Sequence, residues 1–207
     1  GKTQLADYLY VYEPLDYILN NPNSNIKLKI FYFSLEMSKE NKILQMIANK
    51  IYRDKNEVVS TENLRSYFKG YILDDKLMDT IKEYRDYFTK VESIVTFIDN
   101  IRNPTGIYKT IRNYAEQNGY YVNKQGKVIP KEDFENPNTR DAALFSIDHY
   151  KPYNPNEYVI IITDHVSLLN PEKGSTLHQT ISNYSSNYCL KMRDRWGYTI
   201  VNIQQQA

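Results

Sequence analysis

Tyr158-Val159-Ile160-Ile161-Ile162-Thr163-Asp164 is the stretch on which the fold turns. Its apolar run has the length of a strand buried on both faces, and no apolar run in the chain approaches the ~20 residues that span a bilayer. A strand buried on both faces belongs to a parallel sheet covered by helices, and the sequence on either side supplies both parts. Ile30-Phe31-Tyr32-Phe33 reads as a second buried strand, Ile94 to Ile98 as a third and Tyr198 to Ile203 as a fourth.

Helical patterns separate these strands. Lys2 to about Leu19 places Leu5, Leu9 and Tyr12 in helical phase, with Pro14 as a kink or break. Ser38 caps a helix whose apolar face is Ile43, Leu44, Ile47, Ala48 and Ile51. Residues 60–92 are helical with charged outer faces, through Leu64, Tyr67 and Phe68, then Leu77, Ile81, Tyr84 and Phe88. Asn103-Pro104-Thr105-Gly106 opens a helix to Asn118 that turns Ile107, Ile111, Tyr114 and Ala115 inward, and Gly119 closes it. Residues 176–195 form a last amphipathic helix, with Met192 and Trp196 packing its end against the sheet. The order predicts an α/β fold: a mostly parallel sheet flanked by helices. Residues 120–157 break the rhythm. Tyr120-Tyr121-Val122 and Lys127-Val128-Ile129 suggest a hairpin around Asn123 to Gly126, followed by a loop rich in Pro, Asn and Asp. The segment reads as an insertion on a standard core, suited to partner docking.

Composition sets bounds. A chain of 207 residues holds one sizeable domain, and 41% hydrophobic with 25% charged residues is the balance of a soluble globular protein. The 20 tyrosines, with abundant Asn, Lys and Ile, read as a bias toward AT-rich codons rather than a functional signal. A net charge of +1 gives no basic tail of the kind a generic nucleic-acid coat carries, yet it allows a few loops that grip one strand in a channel. Cys189 is the single cysteine, so an intrachain disulfide and a thiolate metal cluster are both excluded. It reads as a small packing residue, compatible with a reducing cytoplasm. His149, His165 and His178 have no zinc-site spacing, and no Ser/His/Asp arrangement stands out. A first residue Gly1 and an end at Gln205-Gln206-Ala207, directly after a strand, read as cuts through a domain.

In parallel sheets with helices on both faces, ligands bind beyond the carboxyl ends of the strands. Gly1-Lys2-Thr3 opens a helix there; alone it is an ordinary helix start, and it is also the closing part of a phosphate-binding P-loop. In that pattern Lys2 neutralises the outer phosphates of ATP and the Thr3 hydroxyl ligates Mg2+. Asp164 follows a buried strand, where a carboxylate needs a partner or a metal. It serves either as a turn cap or as the Walker B aspartate opposite Thr3. The residue after it is His165, a poor permanent base. Glu36, at the end of the second strand in Ser34-Leu35-Glu36-Met37-Ser38, is then the carboxylate placed to polarise an attacking water, or else a helix-entry glutamate. Gln204, Gln205 and Gln206 end the last strand, where a glutamine can hydrogen-bond a terminal phosphate.

Together these motifs resemble the DnaB-type replicative helicases, a RecA-like P-loop ATPase family. Phe31 to Ser38 looks like that group's "SLEMS" signature, and Thr163-Asp164-His165-Val166-Ser167-Leu168-Leu169 is similar to its Walker B segment. Residues 181–195 and 198–205 resemble its next helix and its strand ending in a sensor glutamine, and Lys69 to Asp75 sits where the family has a Gly-containing link. The resemblance covers the chain outside residues 120–157. It implies an ATP-driven, phage-type motor that forms a hexameric ring around single-stranded DNA, working with a primase or a loader in a bacterial or phage-infected cytoplasm. It assigns Gly1, Lys2 and Thr3 to phosphate, Thr3 and Asp164 to Mg2+, Glu36 to activation of water and Gln205 to sensing the γ-phosphate. It also places the loop Asn170 to Thr176 in the central channel, where Lys173 could touch a DNA phosphate. The principal DNA-binding loop and the arginine finger of the family lie past the last strand, and half a P-loop implies a chain inactive alone. A RecA-like recombination ATPase and a non-catalytic nucleotide-binding relative are the alternative readings; a packaging motor, which puts its glutamate after the Walker B aspartate, fits less well.

Overall fold

Two strands at the centre of the sheet organise everything around them. β1 (Lys27–Ser34) and β5 (Glu157–Asp164) run parallel in register from Lys27 opposite Glu157 to Ser34 opposite Asp164. β2 (Val95–Ile98) flanks β1 and β6 (Thr199–Ile203) flanks β5, both parallel, giving the strand order β2-β1-β5-β6. Side chains alternate across this sheet as a period of two requires. Phe31, Phe33, Val159 and Ile161 enter one apolar cluster, while Ile30, Tyr32, Ile160 and Ile162 enter the other. The mixed α/β, mostly parallel architecture is the one the sequence predicts. This computed structural model describes residues 1–65 and 75–204.

The first helical stretch consists of α1 (Lys2–Asp7), a π-helical turn (Tyr8–Tyr12) and α2 (Glu13–Asn20). Pro14 does not break it, because it occupies the first turn of α2, where a missing N–H costs little. The wide turn shifts the helical phase. Tyr12 is buried as expected, but Leu5 and Leu9, expected inward, are 60% and 48% exposed, and Ala6, Val11 and Leu15 are buried in their place. Ser38 caps α3 (Lys39–Lys55) as predicted, accepting a hydrogen bond from the Asn41 amide, but the deeply buried positions of α3 are Lys42, Met46 and Ile51. The others in the expected face are half-buried. Residues 60–94 divide into α4 (Thr61–Leu64), α5 (Asp75–Glu83) and α6 (Arg85–Ile94); Tyr67, Phe68 and most of the Lys69–Asp75 link lie outside the described residues.

α7 (Pro104–Asn118) leads into β3 (Gly119–Asn123). The predicted hairpin forms, with the Asn123 amide bonded to the Lys127 carbonyl and the Ile129 amide to the Tyr121 carbonyl, and the structure adds a strand on its other side. Val128 meets Val122 in an isolated bridge, and the main partner of β3 is β4 (Ile147–Pro152), antiparallel and reached through α8 (Lys131–Glu135) and α9 (Arg140–Ser146). The turn at Asn123 does form, with the Gly126 amide bonded to the Asn123 carbonyl and Gly126 in the left-handed region. β3 and β4 form a second sheet whose Tyr121 and Tyr150 join the cluster containing Ile107, Ile111 and Trp196. α10 (Leu177–Asn183), a second π-helical turn (Tyr184–Cys189) and α11 (Leu190–Trp196) then form one continuous helix before β6. Cys189 is buried as a packing residue, and burial pushes its thiol pKa up. No helix among the described residues is long and apolar enough to cross a membrane.

Gly119 closes α7 by making room rather than by a left-handed turn. Its backbone is extended, but an added Cβ would lie 2.3 Å from the Tyr150 hydroxyl and 2.5 Å from the Lys151 carbonyl oxygen. Gly119→Ala is therefore expected to lower stability by about 1–3 kcal/mol. A urea-unfolding midpoint equal to that of the parent would show that the β3–β4 pair yields without cost.

Candidate functional site

The register of the sheet brings three strand ends to one rim. Ser34 at the end of β1 lies opposite Asp164 at the end of β5, and Asp164 lies opposite Ile203 at the end of β6. Beyond β1, the Ser34 hydroxyl donates to the Met37 carbonyl at 2.6 Å, and the Leu35 amide donates to the Asp164 carbonyl at 2.6 Å. The Arg102 guanidinium holds the Leu35 carbonyl. These bonds fold residues 34–38 into a tight exit and leave Glu36 half-exposed on the rim, its carboxylate 3.8 Å from His165 Nε2. His165 Nδ1 is buried without a hydrogen-bond partner. Beside β2, the Asp99 carboxylate accepts from the Lys39 amide at 2.8 Å and ties that strand end to the start of α3.

The start of α1 crosses the same rim. Thr3 Oγ1 donates to Asp164 Oδ1 at 3.2 Å, and the exposed Lys2 Nζ donates to the Gln204 carbonyl at 3.1 Å. Gly1, Lys2, Thr3, Asp164 and Glu36 thus gather around the ends of β1, β5 and β6. Gln205 lies outside the described residues, directly after Gln204. Lys173 is apart from this group, exposed in the loop between β5 and α10. That loop is pinned to α7, since Glu172 accepts from the Thr105 amide at 2.9 Å and the Asn170 amide donates to the Arg102 carbonyl at 2.8 Å.

Beneath the rim lies a charged network whose members Asp7, Tyr32 and Lys42 the sequence reading did not single out. Tyr32 OH sits 2.9 Å from Asp7 Oδ1 and 3.0 Å from Asp164 Oδ2. Lys42 Nζ donates to Asp7 Oδ2 at 2.8 Å, lies 4.0 Å from Asp164 Oδ2, and rests 4.4 Å from the centre of the Tyr32 ring. One phenolic proton cannot fully serve two carboxylates, so the ammonium supplies the remaining positive charge. Burial, reinforced by Asp7 and Asp164, drives the Tyr32 pKa far above its ordinary value and keeps it a donor. Two signals could have pointed here: Asp7 stands one helical turn beyond Thr3, and Lys42 stands one turn before the buried Met46.

The donors at Thr3 and Asp164 fit a hard divalent cation. Among the described residues no cluster of three or more His, Cys, Asp or Glu could hold a metal unaided. Magnesium does not need one, because it keeps several waters and takes one or two protein oxygens together with substrate phosphates. The free amides at the start of α1 and the Lys2 ammonium suit those phosphates.

Among solved structures, the chain is similar to a DnaB-like replicative helicase whose structure was described with its interactions with primase, with a TM-score of 0.51 and 13% identity. The fold is RecA-like. The match covers 84% of this chain and 31% of that one, and at this identity it speaks for the fold alone. No protein-family model matches the chain, and no curated protein matches it in sequence. In RecA-like terms, the rim described above is the carboxyl edge where a ligand enters.

Removing Lys42 would leave two carboxylates buried with too little positive charge. Lys42→Met is expected to destabilise the protein by roughly 3–5 kcal/mol. Asp7→Asn in the same chain should recover most of that loss, since it removes the stranded charge. Urea unfolding of the single and double variants measures both, and equal losses in the two would mean that the pair is not coupled.

Proposed function

We propose that this chain is the motor core of a ring-forming, DnaB-like replicative DNA helicase. The observation that carries the proposal is the Thr3–Asp164 contact at the carboxyl end of the central strands, with Lys2 beside it, on a RecA-like fold. In this reading Gly1, Lys2 and Thr3 bind the phosphates of ATP, and Thr3 and Asp164 hold Mg2+. When bound, Mg-ATP supplies the phosphoanhydride bond whose hydrolysis drives the motor. The exposed Lys2 ammonium neutralises phosphate charge. Glu36 orients a water and accepts its proton, a task its half-exposed carboxylate can perform because solvent reaches it. Gln205 follows the terminal phosphate from the end of β6, and Lys173 touches the strand in the channel. The hexameric ring, translocation on single-stranded DNA, a primase or loader as partner and a cytoplasmic setting belong to the same proposal. The chain spans 31% of the helicase it is similar to.

ATP hydrolysis by the full-length protein, with and without single-stranded DNA, tests the motor. DNA should stimulate it, and Glu36→Gln should cut it by about 100-fold or more while nucleotide binding persists. Nucleotide bound without turnover in the parent would overturn the motor reading in favour of a non-catalytic relative. Turnover without strand separation would favour a recombination ATPase. Lys173→Ala should weaken binding to single strands and lower the salt dependence by about one released counterion; unchanged affinity would remove Lys173 from the DNA path.

A further inference from the structure

The segment from β3 to β4 builds a groove on the face of the sheet that also carries α7 and α11. Between α7, α8, α9 and α11 lies a cavity of about 620 Å³. Its apolar side is Tyr108, Tyr121 and Phe134, and its charged side carries Arg112, Arg140, Lys191 and Arg195. A second cavity of about 650 Å³ shares Leu144, Lys191 and Arg195 with the first, so the two form one groove along α11.

The charges in this groove are unbalanced once existing pairs are set aside. Glu116 faces Arg112 at 3.4 Å, Asp148 holds His149 at 2.8 Å and Asp194 holds Arg193 at 2.7 Å. The Arg112–Glu116 contact is an ion pair without a formed hydrogen bond, since Arg112 Nε has no hydrogen-bond partner. Arg140, Lys191 and Arg195 have no ion-pair partner among the described residues, and in the first cavity Glu135 is the one lining carboxylate left to face them, while Asp148 and Asp194 line the second. Around the cations stand exposed apolar side chains: Leu144 at 40% and Leu190 at 39%.

A nucleic acid fits this groove poorly. Its aromatic rings are already engaged, Tyr108 stacked on Trp196 at 5.4 Å and Tyr121 packed on Phe134 while accepting from Trp196 Nε1 at 2.9 Å. Bases would find few free faces to stack on. A polypeptide with carboxylates spaced between apolar side chains matches both the unpaired cations and the exposed leucines. We propose that the groove between α7, α9 and α11 docks an acidic, apolar-containing segment of another protein. The proposal does not depend on the nucleotide reading, because none of its residues lies on the rim of strand ends.

Fluorescence anisotropy with a labelled peptide that repeats Glu-Leu-Asp-Phe tests it, beside a polyglutamate peptide of equal charge and an oligothymidylate. The mixed peptide should bind about tenfold more tightly than polyglutamate. Arg140→Glu with Lys191→Glu should weaken it by about tenfold or more, and the milder Arg140→Gln with Lys191→Gln should give a smaller loss in the same direction. Both positions are exposed, so thermal unfolding should be little changed. Lys90→Glu, on α6 against the opposite face of the sheet, should have no effect. Equal binding of polyglutamate, an equal loss in Lys90→Glu, or tighter binding of oligothymidylate that the groove variants abolish would each overturn the proposal.

Discussion

The Lys42 ammonium, 2% exposed, lies between the carboxylates of Asp7 and Asp164, and four elements are fixed by that arrangement. Asp7 comes from α1, Tyr32 from β1, Lys42 from α3 and Asp164 from β5. Each ion has left water at a cost of several kcal/mol, offset only by close geometry and by satisfying the remaining oxygens. The second carboxylate oxygen of Asp164 is held from below by Tyr32, which leaves the first facing Thr3. The position of α1 over the strand ends therefore follows from charge pairing as much as from the apolar packing of Val11, Tyr12 and Leu15.

The other face of the sheet is organised differently. There the contacts are aromatic and mostly neutral: Trp196 bonds Tyr121, Tyr150 donates to the Ala115 carbonyl at 2.9 Å, and Thr163 pairs with Tyr184 at 2.7 Å. Tyrosine suits this face because a phenol buries a ring and can still bond through its hydroxyl, as Tyr121, Tyr150 and Tyr184 do, although the Tyr198 hydroxyl is buried without a hydrogen-bond partner. The β3–β4 pair extends that layer and is anchored through it, so the segment shares the core instead of hanging from it.

Much of this was legible before the structure. Strands announce themselves by apolar runs ending in a polar residue, and the helix cap at Ser38 carries a local hydrogen bond that needs no tertiary partner. Thr3, Glu36 and Asp164 could be placed on one rim because parallel strands end together. What escaped depended on information not stored locally. A π-helical turn at Tyr8–Tyr12 rotates the helical phase, so Leu5 and Leu9 could not be oriented by counting at 3.6 residues per turn. That β3 also pairs along its other edge with a strand beginning at Ile147 is a long-range choice that only the folded chain shows. The Asp7–Lys42 pair joins residues 35 apart in sequence; helical spacing places each on its own helix face but does not reveal that they meet.

That pair also poses the question of why such a network is kept. Stability alone gives no reason, since an apolar set of similar volume is commonly as stable as a buried ion pair or more so. Neighbouring Ile30, Ile160 and Ile162 show that this cluster readily accepts hydrocarbon. An apolar set, however, cannot orient a carboxylate. At the end of a strand buried on both faces, an aspartate without Tyr32 and Lys42 would turn toward solvent to recover its hydration. Held by both, it presents Oδ1 to the Thr3 hydroxyl at 3.2 Å. The buried charges thus make sense as the support that fixes one oxygen atom at the rim, with cohesion of the core a secondary effect.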